Sequence, residues 1–283
     1  MRRSTTSAGT DRRRSRTRLA ALLITELICA LLLLGRTDVP SGPTLAAPAT
    51  PVSSTTPAAA VEALSDGRTA RLIGLGGQRT ERLLSRIAAE IDDAASAVTA
   101  FWGPDWPREV VIVAAATDEQ FAAVGGGDTH TAATTTVERI MFAPGAADIS
   151  DAALRIVLRH ELFHYAARAQ TATDAPRWLT EGVADFVARP PAPPGEVAVA
   201  TLPTDAELAG PDRSLAYDRA WWFSTFVADT YGVPALRRLY VRACGAGHPD
   251  VATAVRDALG ADLDSVLAQW RQWASRGHRP PGG

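Results

Sequence analysis

DAALRIVLRHELFHYAARA, residues 151–169, decides how the chain is read. Leu154, Leu158, Leu162 and Tyr165 recur at helical spacing on one side of the wheel, and Arg155 and Arg159 leave only a narrow polar stripe, so the segment is expected to be a largely buried helix. Within it stand His160, Glu161 and His164. Side chains four apart on a helix share a face one turn apart, so His160 and His164 can point their imidazoles at one ion, about 2.0 to 2.1 Å from each nitrogen. Glu161 is rotated about 100° from His160, which sets its carboxylate beside such an ion, where it can take a proton from an activated water. A pentapeptide of this form arises by chance in about one chain in a hundred of this length, so the surroundings have to decide. Two histidines and a glutamate left unpaired in a buried helix would cost kilocalories each, and a bound ion removes that cost.

The next stretch supplies a third ligand. Glu181, in WLTEGVAD (178–185), lies 17 positions after His164. That gap fits a hairpin of two helices, turning through Thr171 to Pro176, with Glu181 returned to the metal by the early turns of the second helix. Two His and one carboxylate leave a fourth position open, the arrangement of a catalytic zinc site holding one Zn²⁺. Asp185 shares the face of Glu181 and can accept the free imidazole N–H of a ligating His.

The remaining chain frames this site. Leu83, Leu84, Ile87, Ala88, Ile91, Ala94 and Val98 mark a long amphipathic helix, and 109–115 reads as a buried strand, with a second strand over 134–143. Beyond residue 150 helical patterns follow one another at about 150–169, 176–189, 214–230, 233–243, 249–258 and 261–275. The fold class is therefore α+β: a small upper sheet with helices, then a helical lower half.

The ends are of a different kind. Seven arginines crowd residues 1–18, a basic cytoplasmic tail, and 19–35 is an apolar run broken only by Glu26. About 17 residues is the lower limit for crossing a bilayer, and basic flank plus apolar run fits either an anchor or a cleaved signal. The lack of a small-x-small site just after the run favours the anchor, and a soluble secreted form follows if the segment is cleaved. In both cases the arginines hold the amino end in the cytoplasm and send the rest outside; with the segment uncleaved, the chain is single-pass at the cell membrane. Residues 36–65, rich in Pro, Ala, Ser and Thr, read as a linker, 66–276 as the folded domain, and 277–283 as a tail. The net charge of −2 points to no nucleic-acid partner. Cys29 falls in the apolar run, which leaves Cys244 as the one thiol of the exported part and argues against an intrachain disulfide. Cys244 reads as a buried small residue, and His130 and His248 as surface loop residues. Oligomeric state is not legible.

HELFH and WLTEGVAD together resemble the gluzincin zinc metallopeptidases and their small peptidase MA-like domains, over roughly residues 66–276. The resemblance implies a zincin architecture, a peptide or protein substrate, and an upper-sheet edge strand, here within Thr134 to Phe142, that binds an extended peptide. It also makes Tyr217, at the start of the helix after the zinc glutamate, a candidate to stabilise the oxyanion. The Gly-x-Met-Glu-Asn motif by which gluzincin aminopeptidases hold a free amino end has no counterpart upstream of His160, which disfavours an aminopeptidase. The expectation is a membrane-tethered endopeptidase with Glu161 as general base. The competing reading is a zinc-binding peptide-recognition module at the cell surface with little or no turnover.

Overall fold

Short β-branched runs and one long amphipathic helix shape the first half of the chain. The computed structural model describes residues 58–123, 131–191 and 200–276. The tail, the apolar run and most of the linker lie outside them, as do His130 and residues 277–283. Strands β1 (Ala58–Ala63), β2 (Thr69–Gly74), β3 (Glu109–Ala114), β4 (Ala133–Thr135) and β5 (Ile140–Phe142) form one sheet in the order β1-β2-β3-β5-β4. Helix α1 (Gly77–Trp102) crosses from β2 to its parallel neighbour β3, and the short α2 (Asp118–Ala122) follows β3.

One sheet face presents Ala70, Leu72, Val110, Ile112, Ala114, Ile140 and Phe142 to the main core, where the stripe Leu83, Ile87, Ile91 and Val98 of α1 covers them. The other face carries a small satellite of Val113, Ala115, Met141 and Ala143, closed by Phe121 of α2. This two-faced burial is why β3 reads as a continuous apolar run instead of an alternating one.

The segment 36–65 was expected to be linker throughout, yet β1 begins at Ala58 and pairs antiparallel with β2, Ala58 opposite Gly74 and Ala63 opposite Thr69. Its AAAVEA sequence brings little bulk to the core. The strand is held by backbone pairing and by the turn at Gly67, whose φ of 81° favours glycine, and neither leaves a hydrophobic pattern. The single strand expected over 134–143 is a hairpin, β4 and β5, whose turn is closed by Thr136 N–H to Arg139 O (2.8 Å) and by Arg139 N–H to Thr136 Oγ1 (3.1 Å). Of these two strands only β4 therefore lies at a sheet edge, opposite the β1 edge.

The helical half comprises α3 (Asp151–Ala167), α4 (Arg177–Ala188), α5 (Asp205–Leu208), α6 (Arg213–Tyr231), α7 (Val233–Cys244), α8 (Val251–Leu259) and α9 (Leu263–Arg276). Together with the sheet this is the α+β arrangement expected. Ser150 caps α3 by accepting from Ala153 N–H. Arg155, on the polar stripe of α3, makes a two-pronged pair with Glu90 of α1, both contacts 2.7 Å, so even that stripe is used in packing. Helix α3 is thus pressed between α1 and α4. The connection from α3 to α4 is held down on α7 by Ala172 N–H to Cys244 O (2.7 Å) and by Thr171 Oγ1 with the Tyr240 hydroxyl (2.9 Å). Cys244 is itself buried and free.

The α4–α6 contact is unusually close. A Cβ on Gly182 would fall 2.4 Å from the Ala220 carbonyl oxygen and 2.9 Å from Ser224 Oγ, so only glycine lets α4 lie against α6 at this depth. Trp178 of α4 meets Phe223 of α6 edge-on at 5.3 Å between ring centroids, and Phe223 meets Trp270 of α9 at 5.2 Å, an arrangement that adds to the area burial.

Candidate metal centre

Helices α3 and α4 bring three ligand atoms to one point. His160 Nε2 and His164 Nε2 are 3.0 Å apart, and Glu181 Oε2 lies 3.2 Å from the first and 3.6 Å from the second. An ion held tetrahedrally at about 2.0 to 2.1 Å from each ligand sets those ligand atoms about 3.3 to 3.4 Å apart, and the three observed edges bracket that value. His160 is fully buried and Glu181 nearly so. Glu181 Oε2 has no hydrogen bond in spite of its burial, and a buried carboxylate oxygen without a partner is costly. Two imidazoles, a carboxylate and one orphaned oxygen at these distances suit zinc.

The surroundings orient these three side chains. His160 Nδ1 and Asp185 Oδ1 are 2.8 Å apart, which directs Nε2 toward the other two ligands. Burial alone would lower the His160 pKa, but the Asp185 carboxylate hydrogen-bonded to Nδ1 and the close negative charge of Glu181 override it and raise it to about 10. For Glu181, burial pushes up while the neighbouring His164 and His160 pull down more strongly, to about 2. The donor set is thus organised around a positive charge between the imidazoles and the two carboxylates.

Glu161 stands outside the triangle. Its Oε2 accepts from Thr135 Oγ1 at 2.6 Å, and the same hydroxyl lies 3.0 Å from its backbone carbonyl. Its Oε1 is buried with no hydrogen bond among the described residues. Burial raises the Glu161 pKa above the ordinary carboxylate range, against the pull of the imidazoles and Thr135. One oxygen is therefore held and the other is open to a proton.

Tyr217, near the start of α6, is buried, and its hydroxyl accepts from Arg177 at 3.3 Å. Burial and then the negative charge of Glu181 raise its pKa, so its hydroxyl stays protonated. His248 lies in the loop after α7, 3.5 Å from Asp174, away from the cluster.

All six residues singled out from the sequence, His160, Glu161, His164, Glu181, Asp185 and Tyr217, fall on the facing elements α3, α4 and α6. Three others were missed: Thr135, which holds Glu161 from β4; Arg177, beside Tyr217; and Arg189, which closes on Asp185. Thr135 reads as one more strand residue in TTT, and the two arginines as helix-end charges, so no local signal marks them.

No family model and no curated protein matches the chain. Among solved structures, it is similar to a two-domain M1 zinc metallopeptidase variant bound to L-arginine (15% identity, 77% of this chain, 51% of that one, TM-score 0.46). It is also similar to Legionella pneumophila aminopeptidase A in complex with aspartic acid (10% identity, 77% and 28%, TM-score 0.48). A third likeness is to an M1 zinc metallopeptidase variant from Deinococcus radiodurans (15%, 80% and 53%, TM-score 0.45). This chain spans about half or less of the length of each.

Proposed function

We propose that the chain is a zinc-dependent metallopeptidase, tethered to the membrane through residues 19–35, whose folded part lies outside the cytoplasm and hydrolyses internal peptide bonds. The observation that carries this reading is the division of labour on α3. His160 and His164 face Glu181 in a triangle of zinc dimensions, while Glu161, between them in sequence, stands aside with Oε1 unengaged.

His160, His164 and Glu181 would hold the ion, and the chemistry a zinc ion supplies there is polarisation of the scissile carbonyl and acidification of water. Glu161 takes the water's proton on Oε1 while Thr135 keeps Oε2 in place, and then returns the proton to the leaving amine. A raised pKa suits that task, since a base that must also give the proton back works best near the operating pH. Tyr217 offers its O–H to the developing oxyanion, and the Arg177 guanidinium on its oxygen makes that proton a stronger donor. Strand β4, which has no strand neighbour on its outer side among the described residues, offers an edge for an extended peptide, and through Thr135 that edge touches the base.

The endopeptidase preference rests on the missing Gly-x-Met-Glu-Asn stretch, and the tether on the arginine cluster and apolar run. Among the described residues no helix is long and apolar enough to cross a membrane; residues 19–35 lie outside them. The full chain, loaded with zinc, is expected to cleave blocked peptides from a mixed library, to stop on addition of a chelator and to recover with zinc. Cleavage confined to free amino ends would replace endopeptidase with aminopeptidase. Stoichiometric zinc with no cleavage would leave the peptide-recognition module.

A further inference from the structure

Arg189 is the residue at which α4 ends, and its side chain is almost entirely buried, with 11% exposed. Its backbone N–H makes the last helical bond of α4, to Asp185 O (2.9 Å), and its own extended backbone (φ −86°, ψ 148°) ends the helix there. From that position NH2 lies 2.9 Å from Asp185 Oδ2, and NH1 lies 2.7 Å from Asp218 Oδ1 on α6. The guanidinium also lies over the Trp221 ring, 4.9 Å from its centroid. Asp185 Oδ1 meets His160 Nδ1, so a continuous polar chain runs from α6 through Asp218, Arg189 and Asp185 to the imidazole.

We propose that Arg189 is a positioning residue of the metal site, clamping the Asp185 carboxylate so that its other oxygen holds His160 in the metal-binding orientation. The inference rests on the metal reading of the site. Asp185 is completely buried, and a carboxylate there needs a fixed counter-charge to keep one rotamer. His160 alone does not supply it, because binding a metal removes the ring's charge and leaves Asp185 facing a neutral imidazole. Arg189 supplies it in both states. A planar guanidinium can span the Asp185 and Asp218 carboxylates at once, which a lysine ammonium cannot do from the same position. The partner on α6 is adjacent in sequence to Tyr217, so the same turn of α6 sets both the oxyanion donor and the far anchor of the His160 chain.

The test reads zinc affinity, not turnover, by competition with a chromogenic chelator on the full chain. Arg189→Gln is expected to raise the zinc Kd by about 10- to 100-fold, the usual size of losing an outer partner of a ligating His, and Arg189→Lys to recover only part of that. In an Asp185→Asn background the same Arg189→Gln change should cost no further affinity, because its route to His160 is already cut; a merely structural arginine would weaken both backgrounds alike. Asp218→Asn, a milder change should Arg189→Gln fail to fold, is expected to shift Kd in the same direction by less, and again only when Asp185 is intact. Parent-like zinc affinity in Arg189→Gln, or equal losses in the two backgrounds, overturns the proposal while leaving the metal site standing. A parent chain that takes up no zinc overturns the site itself.

Discussion

Replacing Gly182 by alanine should damage both the fold and the metal site, and the structure sets the size of the damage. The new Cβ would be 2.4 Å from Ala220 O and 2.6 Å from its carbonyl carbon. Carbon–oxygen contacts in packed helices begin near about 3.3 Å, so α4 must retreat from α6 by roughly 0.9 Å locally. Both obstructing atoms are backbone, so no side chain can rotate out of the way. Overpacking of this kind costs about 1 to 3 kcal/mol, and for a domain of roughly 200 residues that lowers the melting temperature by about 2 to 12 °C. Glu181 is the neighbouring residue, and a ligand atom displaced by much more than about 0.2 Å no longer meets a zinc ion held by the two histidines. Zinc affinity should fall by at least about tenfold, and turnover by about a hundredfold, the loss typical of a 1 Å misplacement. Thermal unfolding and chelator competition, run side by side, provide the assay. Gly145→Ala is the control, because a Cβ there meets nothing within 4 Å, and it should be neutral. If Gly182→Ala melts and binds zinc like the parent, the α4–α6 approach does not set the position of Glu181.

His164→Ala should lose the zinc and, with it, the stability that comes from binding only the folded state, about 4 kcal/mol at a thousandfold excess over Kd; unchanged melting and metal content would remove the site. Metal uptake should release protons. In the metal-free site His160, raised to about 10, carries its proton at neutral pH, and a ligating imidazole cannot, so apparent zinc affinity should rise by about tenfold per pH unit below that value. Proton release measured in weakly buffered solution near pH 7 should be about one per ion, and none would contradict the arrangement. In intact cells, added protease should digest the folded part and spare the amino end; protection of residues 58–276 would reverse the topology, and a soluble form beginning near residue 47 would mean that the apolar run is a cleaved signal.

The sequence was most legible where burial and periodicity coincide. Helix α3 was readable because its apolar residues recur around a full face, and α4 because Glu181 follows at hairpin distance. The observed limits of α6, α7, α8 and α9 stay within two residues of the patterns that announced them. Legibility failed where backbone hydrogen bonds, not side chains, make the structure: β1 is built of alanines, and the turn at 136–139 lies inside a run that alternates like one strand. The site shows the same divide. Spacing along two helices is a local property, so the meeting of His160, His164 and Glu181 could be read off. Thr135 and Arg189 act through contacts 26 residues away in sequence in one case and through α6 in the other, and such contacts appear only once the chain is folded.

Peptide cleavage by the parent and by Glu161→Gln, with zinc content measured on the same preparations, tests the central claim most directly. The amide keeps the shape of the side chain and adds nothing to the metal triangle, so zinc content and fold should match the parent, while the rate drops by roughly 10²- to 10⁴-fold for want of a base. Equal cleavage by the two proteins at equal zinc content would contradict the account.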